Sequence, residues 1–186
     1  MNRKYSIAPV LAILGLLAVG ATQPADAAVF VKFDGVDGEA LDKDHSGWIV
    51  VESLSARMDL NPMSVAAGAT QPRADITHDD FILTKTVDKA SAKLAEAACS
   101  GKVFPKVEIH VSASYASARA TYLKYELKNV RVTSYSVSGA GSSGELAKET
   151  IALNFEEVKV TYTENDGKGA SKGNVETQHK IGKGEK

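Results

Sequence analysis

Val107-Glu108-Ile109-His110-Val111-Ser112 alternates apolar and polar residues without a break. Successive side chains on a strand point to opposite faces, so this stretch reads as a strand with one dry and one wet face. The pattern spreads outward. Leu123, Tyr125 and Leu127 alternate with Lys124 and Glu126, and Phe81, Leu83 and Val87 share one register of another β-type run. Residues 29–33 and 48–54 carry apolar side chains in both registers. That is the expectation for strands covered on both faces, in a closed barrel or at a subunit contact.

The last long run, residues 151–162, changes phase: Ile151, Leu153 and Phe155 are odd-numbered, whereas Val158, Val160 and Tyr162 are even-numbered. A β-bulge at Glu156-Glu157 is expected to absorb one extra residue and bend the strand, so that it serves two sheets or turns a barrel corner. Helical spacing appears once, over about residues 89–100. There Ala90, Leu94, Ala97 and Ala98 form an apolar stripe, Asp88 is placed as N-cap, and Gly101 follows the end. The fold class predicted is therefore mainly β, and a single helix capping or flanking a barrel is the simplest architecture.

Two stretches lack periodicity. Residues 61–78, with Pro62, Gly68 and Pro72, read as a long loop suited to bridging subunits, and residues 164–186, rich in Gly and Lys, read as a flexible tail. No internal repeat and no second domain boundary is evident. The organisation expected is a signal peptide at 1–27, one β-barrel domain at 28–163 and the tail.

The signal peptide rests on Arg3 and Lys4, the uncharged apolar run 7–19, and Ala25-Asp26-Ala27, a small-x-small site with cleavage after Ala27. The apolar run falls short of the roughly 20 residues that a membrane span needs. Export to the periplasm or the exterior is the localisation expected. Cleavage would leave 159 of the 186 residues, with 20 basic and 22 acidic side chains and no long run of either sign. That composition points to neither a nucleic-acid partner nor a membrane surface. Cys99 is the only cysteine, which excludes an internal disulfide, and it reads as a buried thiol.

Candidate motifs for chemistry fail on context. Gly139-Ala140-Gly141-Ser142-Ser143-Gly144 has the spelling of a dinucleotide-binding turn, but an alternating strand follows where a helix must hold the pyrophosphate. Asp42-Lys43-Asp44-His45-Ser46-Gly47 resembles half of a calcium loop, but Ser53 stands where a bidentate Glu is needed. The four histidines, His45, His78, His110 and His179, are far apart in sequence and lack metal-ligand spacing. No G-x-S-x-G elbow nominates a nucleophile. Tyr115, Tyr122, Tyr125 and Tyr135 read as packing, with a sugar-binding face as the other reading. No cofactor, metal or catalytic residue is assigned.

In sequence order these features resemble the Hcp (haemolysin-coregulated protein) family of type VI secretion. Gly38-Glu39 and Asp44-His45-Ser46-Gly47-Trp48-Ile49 resemble the family's acidic turn ending in His-x-Gly-Trp-Ile. Residues 81–85, then Asp88-Lys89-Ala90-Ser91-Ala92-Lys93-Leu94 and Gly101, resemble its strand and Asp-x-x-Ser-x-x-Leu helix, with Ala92 where many members have proline. Residues 125–135, including Leu127-Lys128-Asn129-Val130, and residues 149–162 resemble its later strands.

The resemblance covers nearly all of residues 29–163. It implies a barrel of two antiparallel β-sheets with one flanking α-helix and a structural protein, not an enzyme: a homohexameric ring with a wide pore, rings stacking into a tube, and secretion-system or effector proteins as further partners. Two departures stand out. Gln178-His179 occupies the place of a Trp-Asp or Trp-Asn pair. A cleavable signal peptide would also send the chain out of the cytoplasm, where such tubes assemble. The candidate self-assembly contacts are Trp48, Ile49 and Val50, together with Asn61, Pro62, Met63, Pro72 and His78 of the long loop. An exported β-barrel module that binds a glycan or a protein is the alternative.

Overall fold

A computed structural model describes residues 27–62, 74–116, 118–139, 141 and 144–181. The expected signal peptide, apart from Ala27, lies outside them. In chain order the elements are β1 Ala28–Phe33, β2 Ile49–Val51, β3 Ser53–Ser55, β4 Met58–Pro62, β5 Ala74–His78, β6 Phe81–Thr86, α1 Ser91–Ser100, β7 Val103–Ser114, β8 Arg119–Ser138, β9 Lys148–Asn154, β10 Glu157–Asn165 and β11 Ser171–Lys180.

The strands are antiparallel and run β2-β1-β7-β8-β9-β6-β3, with β10 on the first half of β8 and β11 on β10. Only Glu52 separates β2 from β3, and its N–H donates to the Thr84 carbonyl of β6 at 2.8 Å, so the ends of this path meet and the barrel closes. The 20-residue β8 is the hinge between two lobes. Its first half lies between β7 and β10, and its second half carries β9, β6 and β3.

The expected bulge at Glu156-Glu157 is not what the structure contains. A bulge adds a residue to one strand only. Here Arg131 pairs with Asn154 and Lys128 with Glu157, so the register against β8 runs unbroken past Phe155 and Glu156. The phase change is shared instead. β7 buries Phe104 and then Val107, β8 buries Leu127 and then Val130, and the β9–β10 segment buries Phe155 and then Val158. These residues sit on neighbouring rungs, so three adjacent strands turn over along one crease. Asn129 occupies the left-handed region there (φ 51°), which asparagine tolerates better than most residues. Its Nδ2 donates to Glu156 Oε2 at 2.8 Å.

Inside, Val31, Phe33, Phe81, Leu83, Phe104, Ile109, Leu127, Ile151 and Leu153 form one cluster with Leu94 and Ala97 of α1. Burying each large side chain contributes about 1.5–3 kcal/mol. The helix starts at Ser91, later than expected, because Asp88 serves a preceding turn: its Oδ1 accepts the Ala90 N–H at 2.8 Å. Gly101 ends the helix in the left-handed region, and its N–H and that of Lys102 both reach Ala97 O.

Charged groups enter this core as well. Lys85 and Glu149, directly paired across β6 and β9, are both 0% exposed. Lys85 Nζ donates to Glu149 Oε1 at 2.7 Å, to Asp88 Oδ1 at 2.8 Å and to Thr86 O at 2.8 Å. Tyr135 Oη donates to Glu149 Oε2 at 2.7 Å.

Other expectations are corrected. Val50 is 47% exposed, so β2 is covered on one face only. Cys99 is exposed on α1, beyond the buried stripe. Residues 171–180 form an edge strand on β10 rather than a loose tail. The ends of the long loop pair as the hairpin β4–β5, from Met58 with His78 to Pro62 with Ala74. The Gly139–Gly144 stretch does connect two antiparallel strands, β8 and β9, as read from sequence.

Candidate self-assembly surface

The turn before β2 holds its own side chains. Gly38 lies so close to the next segment that a Cβ there would sit 2.2 Å from Trp48 O, and its N–H donates to Gly47 O at 2.8 Å. Asp42 Oδ1 accepts the Asp44 N–H at 3.0 Å and contacts His45 Nδ1 at 2.8 Å, and Oδ2 lies 3.7 Å from Arg119. Burial alone would raise the Asp42 pKa. The His45 and Asp44 hydrogen bonds and the Arg119 charge outweigh it and hold the carboxyl below its ordinary value.

An ionised Asp42 fixes the proton on His45 Nδ1. His45 Nε2 then accepts from His110 Nδ1, 2.9 Å away. His45 is buried, stacked on Phe30 at 4.3 Å, while Trp48 tilts against His110 at 4.6 Å. Burial, then the Lys124 and His45 charges, push His110 down to about 4. The stretch that resembles a calcium loop therefore spends its carboxylate on a histidine and an arginine. Among the described residues no group of three metal-ligating side chains comes together.

Of the candidate contacts, Trp48 is half-buried, Val50 is exposed, and Ile49 points into the core at 1% exposure, leaving only backbone to offer a neighbour. Asn61 and Pro62 belong to β4, whereas Met63 and Pro72 lie outside the described residues. His78 closes β5 and packs on the barrel.

A surface that the sequence reading missed emerges from the registers. Val51, Val29, Val111, Leu123, Tyr162 and Val175 are successive partners across β2, β1, β7, β8, β10 and β11. This single apolar rung begins inside the barrel and ends outside it. Val51 is 4% and Val111 8% exposed, but Tyr162 is 49% and Val175 72% exposed. Among the described residues the outer strand β11 pairs only with β10, so its other edge has no partner strand there. On the opposite face of these strands lies a shallow polar trough of about 350 Å³, lined by His110, Lys124, Glu126, Lys159, Thr163 and Glu176.

The profile of the family described as "Type VI secretion system effector, Hcp" matches residues 30–162. The chain belongs to the Hcp family. It is 32% identical over 145 residues to the protein Hcp1 of Pseudomonas aeruginosa, covering 78% of this chain and 88% of the relative. Among solved structures, a type six secretion system protein superposes with a TM-score of 0.73 at 28% identity, and Hcp1 of Salmonella typhimurium with 0.66 at 26%. Both matches cover 83% of this chain and 95% of the other. This Hcp chain is thus a type VI secretion tube protein, structural rather than enzymatic, as the sequence resemblance implied. The exposed end of the rung was legible only as Val175, one of three apolar side chains with Ala170 and Ile181 in a polar tail, a signal too weak to act on.

Proposed function

We propose that this Hcp chain assembles into homohexameric rings that stack into a tube, and that Leu123, Tyr162, Val175 and the free edge of β11 supply one half of the contact between neighbouring subunits. The observation that carries the reading is the apolar rung that leaves the barrel and ends on an uncovered edge strand. Apolar side chains beside unpaired backbone groups attract another chain. Trp48 and Val50, with Asn61, Pro62, Met63, Pro72 and His78, serve the stacking of rings, and effector proteins are the cargo. Residues 1–27 direct export, which places the assembly in the periplasm or outside the cell.

Light scattering after gel filtration of residues 28–186 tests the ring. The expected mass is that of a hexamer, with an interface on the order of 1,600 Å² per contact. Tyr162→Lys combined with Val175→Glu should give a folded monomer with an unchanged circular dichroism spectrum. A wild-type monomer at high concentration sinks the ring, and a hexameric variant sinks the choice of surface. For export, cell fractionation should find a shortened chain in the periplasm, and a full-length cytoplasmic chain refutes it.

A further inference from the structure

All four histidines of the chain meet in pairs, and the second pair differs from the hydrogen-bonded His45–His110 pair in being a ring contact alone on the His78 side. The rings of His78 and His179 lie 4.9 Å apart, tilted by 33°, with the Phe155 ring 5.9 Å from His78. Both His78 nitrogens are buried and have no hydrogen-bond partner. His78 is the last residue of β5, in a two-stranded sheet that is not hydrogen-bonded to the barrel strands, whereas His179 belongs to β11 and Phe155 stands at the crease. The contact thus joins the β4–β5 hairpin to the barrel.

A proton on His78 would place an unpaired charge in an aromatic pocket beside a second imidazole. The charged groups on the surrounding elements are already engaged. Asp79 faces Arg57 at 3.9 Å, and Asp80 accepts from Asn154 and Thr133. Glu156 accepts from Asn129, and Glu157 from Lys128 and Gln178, with Lys180 close to it. None of them compensates a cation at His78.

We propose that the His78–His179 contact is a pH-sensitive latch, which holds the β4–β5 hairpin on the barrel while the His78 imidazole is neutral and releases it when His78 takes a proton. Burial and then the neighbouring His179 lower the pKa of His78. A lowered pKa means that the released hairpin binds the proton more readily. Docking is therefore complete above the ordinary histidine value of 6.5 and weakens as the pH falls below it.

Both imidazoles of the latch belong to one subunit, and because His78 and β11 also carry proposed assembly contacts, the acid response should persist in the monomeric Tyr162→Lys/Val175→Glu variant. Hydrogen exchange of the β5 amides in the purified protein tests it, after correction for intrinsic rates, between about pH 7.5 and about pH 5.5. Exchange in β5 should rise severalfold in acid while β7 stays protected. The double variant His78→Phe/His179→Phe should abolish that rise. A flat wild-type profile, or an equal rise in the variant, overturns the latch. If the variant does not fold, proton NMR of wild-type His78 decides: a midpoint below that of an exposed histidine supports the latch, and an ordinary midpoint overturns it.

Discussion

Two junctions of this molecule bury polar side chains and treat them oppositely. Where α1 meets the barrel, the three protons of Lys85 go to Glu149, Asp88 and Thr86, and the second oxygen of Glu149 goes to Tyr135. Where the β4–β5 hairpin meets the barrel, His78 brings two nitrogens that meet no partner. Low dielectric strengthens a satisfied network and penalises an unsatisfied group. The first junction is therefore built to stay shut, and at the second the end of β5 rests on ring contacts that a proton can undo.

The largest effect that would break this contrast is at Lys85. Lys85→Met leaves Glu149 buried and charged with Tyr135 as its one remaining donor, and should cost about 3–5 kcal/mol in urea unfolding. Lys85→Met with Glu149→Leu should cost less than that single change, because the pair leaves together. A loss below about 1 kcal/mol for Lys85→Met would place this cluster among weak surface pairs.

Tyr135→Phe should cost about 1.5–3 kcal/mol, the range for a hydrogen bond to a charged group. Burial, then the Glu149 bond and charge, push the Tyr135 hydroxyl up to about 12. A raised pKa gives stability that is complete below the ordinary value of 10.0 and is lost as the pH climbs from there to about 12. Tyrosinate absorbance should show one late-titrating phenol in the wild type that the variant lacks.

How far the sequence revealed these features depended on whether a residue had an inward register to betray it. The strands, the helix stripe and its glycine stop were legible because each has one dry face. Lys85 and Glu149 were legible in principle: both fall on the odd register of Phe81 and Leu83 or of Ile151 and Leu153, and a charge there must find a partner inside. The phase change at residues 155–158 was read as a bulge because one strand was considered alone, whereas Phe104 to Val107 and Leu127 to Val130 carry the same shift. Strand β11 was invisible because an edge strand wet on both faces has no alternation. The histidine pairs were invisible for another reason: His45 and His110 stand 65 residues apart, and it is the pairing of β1 with β7, which sets Phe30 beside His110, that brings them together.

The smallest expected effect sharpens the comparison most, because its sign is reversed. At Lys85 an apolar replacement should destabilise, since it strands a partner. At His78 no partner exists to strand. His78→Phe keeps a ring against Phe155 and His179 while removing two buried nitrogens whose desolvation nothing repays, so it should tighten hairpin docking by about 1 kcal/mol at neutral pH. Slower exchange of the β5 amides, with global unfolding unchanged, is the readout. Were His78→Phe to loosen the hairpin instead, the imidazole would have to be making a polar contact in solution, and the two junctions would be alike.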